Sequence, residues 1–303
     1  MIRLDAATVL LQWAVGGLAF LWFTSRHRQV GLGYGWLLRG TYALMAAGAF
    51  AAGLAFGFVP VRDVAAGLVT VTAIVVLGVS IVRRHAGVSG AAAEHDRRSA
   101  RVAAMTGIER RVDNVDDVDV DVDVDVDGGP TRIGREFPPS LDLIAPAIGL
   151  VGLLAAGLDA TDGGTWDVFV SVLRTFAGAA FLGAVTDAML LGHWYLVQPG
   201  LPRRHLNELV RALGFVWPVE VIALLLPVGM VSVWTGSVDD GWNGTLGWFW
   251  AACAITTIVL VFVTRAALKE RSYSAVMAAT GLLYLAILTA FGTDLVARAV
   301  LAS

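Results

Sequence analysis

The chain is short of the residues that build most soluble and redox-active proteins: among 303 residues it has one cysteine, Cys253, one lysine, Lys269, and only 16% charged side chains. A lone cysteine excludes an intrachain disulfide, and this chain by itself cannot assemble a cysteine-based zinc site or an iron–sulfur cluster. Sparse charge beside 57% hydrophobic residues and a mean hydropathy of +0.71 excludes a water-soluble globule, in which about 25% of residues are charged. A formal net charge of -3 supplies no overall basic field for phosphates, so no nucleic-acid partner is expected. HExxH, GxxxxGK and GxSxG motifs are also missing, and Lys269 falls in a loop, where it cannot serve as a retinal-type lysine. The sequence therefore assigns no catalytic residue and no metal-ligand set. His205 and Glu208 have HxxE spacing, which alone is too common to imply a metal.

What the chain has is apolar length. A helix needs about 20 mostly apolar residues to cross about 30 Å of hydrocarbon, because lipid cannot satisfy exposed backbone groups. Eight stretches qualify: 6–25, 37–58, 63–82, 141–158, 175–197, 209–234, 245–265 and 273–297. The expected fold is all-α, a polytopic bundle of about eight membrane helices with the surrounding lipid as its first partner. The first stretch is read as an anchor and not a signal peptide, because it runs into Thr24-Ser25-Arg26-His27-Arg28 without a small-residue cleavage site.

Basic residues alternate between the loops. Arg26, Arg28 and Arg39, then Arg83, Arg84 and seven arginines of the segment that follows, then Arg203, Arg204 and Arg211, then Arg265, Lys269 and Arg271 fall on one side. Asp159, Asp162, Asp239 and Asp240 gather on the other. Retention of positive charge on the cytoplasmic side predicts both termini outside, in a multi-pass protein of the inner cell membrane.

Three regions follow: membrane helices in 1–83, a long cytoplasmic loop at 84–140, and membrane helices in 141–303. The loop has a basic half and then an Asp/Val alternation from Asp113 to Asp127. Eight like charges there repel, so a solvated, disordered segment is expected and not a strand. Asp123, Asp125, Asp127 and Gly128 copy the opening of a calcium-binding EF-hand loop, but Gly134 stands where the bidentate Glu belongs. Asp142, after Pro138-Pro139-Ser140, reads as a capping charge, and Thr165 with Asp167 repeats the device.

Ionisable groups inside the spans are the functional candidates. Asp187 and Glu220 each lie about 15 Å from their basic-side boundary at 1.5 Å per residue, on consecutive antiparallel helices. With no basic residue evident at that depth, two neighbouring carboxyls would favour holding a proton or a cation. Pro218 removes a backbone donor beside Glu220, and Pro227 repeats the break. His193, Trp194 and Tyr195 form a dense string at the cytoplasmic end of the fifth span, either an aromatic belt or a proton relay and pocket wall. Arg174, near the outer end of that span, is expected to snorkel or to pair with Asp294, for which Arg298 competes at i,i+4.

The leading expectation is transport or binding of a proton, cation or small solute at Asp187 and Glu220, with His193 at the cytoplasmic mouth. A rival is a membrane subunit of a redox complex that binds quinone at His193, Trp194 and Tyr195 and takes electrons from a partner protein. Another is a scaffold or lipid-modifying protein docking through the long loop. Haem would need His27 and His193 as an axial pair, and His27 is poorly placed between two arginines. A second copy of the chain is a further partner the sequence leaves open.

Overall fold

The computed structural model describes residues 5–84, 136–198, 201–226, 228–270 and 272–301. Regular structure among these residues is helical throughout: α1 (Ala6–Ser25), α2 (Leu32–Phe56), α3 (Pro60–Val82), a 3-10 turn (Pro139–Leu143), α4 (Ile144–Asp159), α5 (Thr165–Trp194), α6 (Arg204–Leu225), the one-turn α7 (Val231–Trp234), α8 (Thr245–Ala267) and α9 (Tyr273–Leu301). Among the described residues seven helices are long and apolar enough to cross a membrane, α4 counted with its leading turn. The eighth long helix, α6, is diluted by Arg204, Glu208, Arg211 and Glu220. The Asp/Val run and nearly all of the long loop lie outside the described residues.

Helix starts follow local chemistry. Asp5 caps α1 by accepting from Ala7 N at 3.1 Å and Thr8 N at 3.2 Å. Pro60 opens α3, and Asp63 in its first turn accepts from Val59 N at 2.7 Å. Asp167 reaches back to Gly164 N at 3.1 Å, as its spacing predicts. Asp142 departs from the capping role: it is buried in the 3-10 turn and paired with Arg39, which is itself buried in α2 and not free in a loop.

The sixth predicted span is broken. Leu226 is extended (φ -82, ψ 150), the conformation favoured before a proline, and Pro227 is next in sequence. Gly229 then turns the chain at φ +44, and Met230 N returns to Leu224 O at 3.0 Å. One continuous helix over 209–234 is thus replaced by α6, a turn and α7.

The 30-residue α5 is the axis of the bundle, packed by α1, α4, α6 and α9, while α2 and α3 pair beside α1 and α8 pairs with α9. Small residues allow close approach: a Cβ on Gly16 would collide with the backbone of Ala179, and one on Gly17 with the ring of Tyr42. The outward surface is apolar, with Leu68, Val71, Ile74 and Val75 on α3 and Leu285 and Leu288 on α9 exposed. So much contiguous apolar surface suits a lipid environment.

Candidate functional site

Two buried polar centres lie along α5. The first surrounds Asp187, which is fully buried. Its Oδ1 accepts from the hydroxyl of Tyr42, and its backbone carbonyl from Tyr34 at 3.3 Å, both tyrosines reaching in from α2. Oδ2 of Asp187 has no hydrogen-bond partner. Gly17 makes this centre by its size, since any side chain there would occupy the space of the Tyr42 ring.

The second centre surrounds Glu220, also fully buried, with both carboxyl oxygens lacking a donor. It faces Asp294 and Arg298 from α9 and Arg174 from α5. Arg298 grips Asp294 with two arms, Nε to Oδ2 at 2.7 Å and Nη2 to Oδ1 at 2.9 Å. Arg174 donates to the carbonyls of Ala223 (2.9 Å) and Leu226, so it completes the broken end of α6 where helix carbonyls lack partners. Gln12 of α1 donates to Thr175 O at 2.6 Å, and its Oε1 is buried without a partner. Gly178 keeps the middle open: a Cβ there would stand 3.0 Å from Gln12 Nε2 and 3.1 Å from both Arg298 and Asp294.

These contacts set the depths. Arg174 meeting Ala223 fixes the register of α5 against α6, placing Glu220 near Gly178 and Asp187 nine residues further along, about 13 Å at 1.5 Å per residue. The structure therefore gives Asp187 and Glu220 separate neighbours on consecutive helices. The break after Leu225 is the physical reason: it puts Glu220 five residues from the end of α6 and not in the middle of a longer helix. Basic groups do share the depth of Glu220, because the long arms of Arg174 and Arg298 reach inward from the far end. Asp294 takes the local i,i+4 partner, and Arg174 joins the same centre through Glu220.

A narrow pocket of about 10 Å³, room for about one water, lies at the end of the bundle away from Arg26 and Arg204, between α1, α3, α4, α5 and α9. Asp5, Thr8, Arg62 and Asp159 line it, with Thr175 and Arg298 at the Glu220 centre. Arg62 is held there by Asp63 (2.7 Å), by Asp5 and by Gly57 O (2.7 Å).

His193, Trp194 and Tyr195 turn to three different neighbours. His193 is exposed, its Nδ1 3.4 Å from the hydroxyl of Tyr284. Trp194 packs its ring 5.8 Å from that of Tyr34 and donates to Gln198 at 3.2 Å. Tyr195 is buried and donates to Pro202 O at 2.7 Å, closing the turn between α5 and α6. The partner of His27 is His205, at a ring separation of 5.3 Å, and not His193.

Sequence reasoning missed Tyr42, Tyr34, Gln12 and the grouping of Glu220 with Asp294. A tyrosine or glutamine within an apolar helix is the signal that was available, but nothing in the sequence says which acid it faces. Compared with models of known families, with curated proteins and with solved structures, the chain shows no significant match.

Proposed function

We propose that this chain is a cell-membrane protein that takes up and releases a proton, or a small cation, at carboxyl groups buried among its helices, with Glu220 and Asp187 as the carriers and the arginine-rich end cytoplasmic. One observation carries the reading: three carboxyl oxygens, both of Glu220 and Oδ2 of Asp187, are buried with no donor. A buried carboxylate without donors costs several kcal/mol, on the order of what makes such groups take a proton or a cation instead. Around Glu220, Arg174 and Arg298 balance one carboxylate each, so the net charge changes by one whenever Glu220 binds or loses a proton. The narrow pocket beside Arg298, with room for about one water, is where a proton would enter from the far end. Towards the arginine-rich end, Asp187 is the next carboxyl along α5, with the Tyr42 hydroxyl as a group that can pass a proton on.

The test is purified protein in vesicles carrying an entrapped pH dye, under an imposed proton gradient and then under sodium or potassium gradients. Wild-type vesicles are expected to dissipate the gradient, and Glu220→Gln and Asp187→Asn each to slow this at least tenfold with helix content unchanged. Flux equal to wild type in both variants overturns the reading.

A further inference from the structure

At the arginine-rich end, away from both carboxyl centres, we propose a binding site for one divalent transition-metal ion formed by His27, His205 and Glu208. The three residues offer donor atoms that all lie within 4.8 Å of one another. His27 lies just past α1, where the left-handed Arg28 (φ 52) turns the chain back. His205 and Glu208 stand at i,i+3 near the start of α6 and so share a face. The turn after α1 and the start of α6 are thus brought to one point, though 178 residues separate His27 from His205.

Hydrogen bonds aim the ring nitrogens. Nε2 of His205 is 2.7 Å from Oε1 of Gln29, which also accepts from Arg204 Nη2 at 2.9 Å. An oxygen facing that nitrogen makes Nε2 the protonated one, so Nδ1 carries the lone pair. That Nδ1 is buried without a partner, on a residue only 2% exposed. Nε2 of His27 accepts from Arg26 Nε at 3.1 Å and lies 3.4 Å from Glu208 Oε2, so its lone pair becomes available to an ion when the guanidinium moves away.

Two imidazole nitrogens and one carboxylate suit zinc and its first-row neighbours and not calcium or magnesium, which prefer oxygen. Bonds of about 2.0–2.1 Å to a tetrahedral ion require donors about 3.3 Å apart. His27 and Glu208 already meet that spacing, and both side chains, about one third exposed, can rotate to bring His205 into range. Arg26 is the resident cation, 3.3 Å from Glu208 and lying over the Phe23 ring at 3.8 Å. An entering ion displaces its guanidinium, which keeps the aromatic contact. With Arg204 also close, the site works against positive charge, and the bound ion would staple the α1 exit to α6.

The experiment uses the full chain in detergent micelles, stripped with a chelator that is then removed, with Co2+ as an optical probe and Zn2+ as competitor. One Zn2+ per chain is expected. Both His27→Ala and Glu208→Ala, chosen because their side chains are about one third exposed and spare the core, should weaken binding at least tenfold, Arg26→Gln should strengthen it, and His193→Ala should leave it unchanged. His205→Gln, with helix content checked, should abolish the tetrahedral cobalt spectrum. Wild-type affinity in both His27→Ala and Glu208→Ala overturns the site, as does binding lost only on removing residues 113–127, which would assign the ion to the aspartate run.

Discussion

Arg39 and Asp142, 103 residues apart in sequence, meet as a two-armed ion pair: Nε to Oδ1 at 2.7 Å and Nη2 to Oδ2 at 2.8 Å, with the Phe137 ring 4.5 Å from the guanidinium. Both side chains are buried, so the pair ties α2 to the turn through which the chain re-enters the bundle after the long loop. Removing one partner strands the other charge. Arg39→Leu is expected to cost about 3–5 kcal/mol, and Arg39→Met with Asp142→Leu much less, because replacing a whole buried pair by apolar groups is often close to neutral. Denaturant unfolding in micelles checks both, and equal losses in the single and double variants would contradict it.

Among the described residues, the Tyr42 hydroxyl is the one donor to the Asp187 carboxyl. Tyr42→Phe keeps the ring and removes that hydroxyl, leaving a buried acid with no donor at all; a loss of about 1–3 kcal/mol is expected. In Asp187→Asn the amide still accepts from Tyr42, so this variant should stay within about 1 kcal/mol of wild type. Thermal unfolding of the two variants side by side gives the order, and the reverse order would show that Asp187 is held charged by groups other than Tyr42.

Helix positions were legible because apolar length is a local property: Ala6–Ser25 and Thr245–Ala267 nearly coincide with their predicted spans. The break in the sixth span was legible too, in Leu226-Pro227 and Gly229, but apolar continuity through Met230 and Val231 outweighed it. Partnerships were not legible. Tyr42 and Asp187 are 145 residues apart, and no periodicity within either helix states which helix lies opposite. Two of the three residues of the proposed metal site were visible as His205 and Glu208; His27 joins them only through packing.

Two glycines in long helices should respond oppositely to one added methyl group. Gly16 presses on the carbonyl of Ala179, so Gly16→Ala must push α1 from α5, costing about 1–3 kcal/mol. Gly78 in α3 has open space around it, and Gly78→Ala should gain up to about 1 kcal/mol from helix propensity. Unfolding midpoints compare the two; a neutral Gly16→Ala would mean the α1–α5 contact is looser than this packing.

The loop before α8 is organised by one carboxylate. Asp240 accepts from the backbone N–H groups of Trp242, Gly244 and Leu246, each at 2.9 Å. Desolvation pushes its carboxyl up, but the donors of Gly244, Trp242 and Leu246 outweigh this and hold it below the ordinary range. A folded-state value below the unfolded one means the turn is favoured above the usual aspartate range, about pH 4, and loses that support as pH falls through it. Protection of these three amides, measured relative to the intrinsic exchange rate at each pH, should fall in acid and, at neutral pH, in Asp240→Ala. Protection that survives the substitution would assign the turn to Gly241 and Gly244, both at positive φ.

Glu220 and Asp294 both face Arg298, yet their substitution should not cost the same. Asp294 is gripped by Arg298 through two hydrogen bonds, so Asp294→Asn strands a buried guanidinium and should cost about 3–5 kcal/mol. Glu220 receives no hydrogen bond, and Arg174 is already satisfied by the carbonyls of Ala223 and Leu226. Glu220→Gln keeps the shape, and its amide can donate to Asp294, so stability should change by less than about 1 kcal/mol while proton flux is lost. That separation is what distinguishes a carrier from a structural counter-ion. If Glu220→Gln unfolds as readily as Asp294→Asn, Glu220 is a fixed partner of Arg174, and the proton-carrying role falls to Asp187 alone.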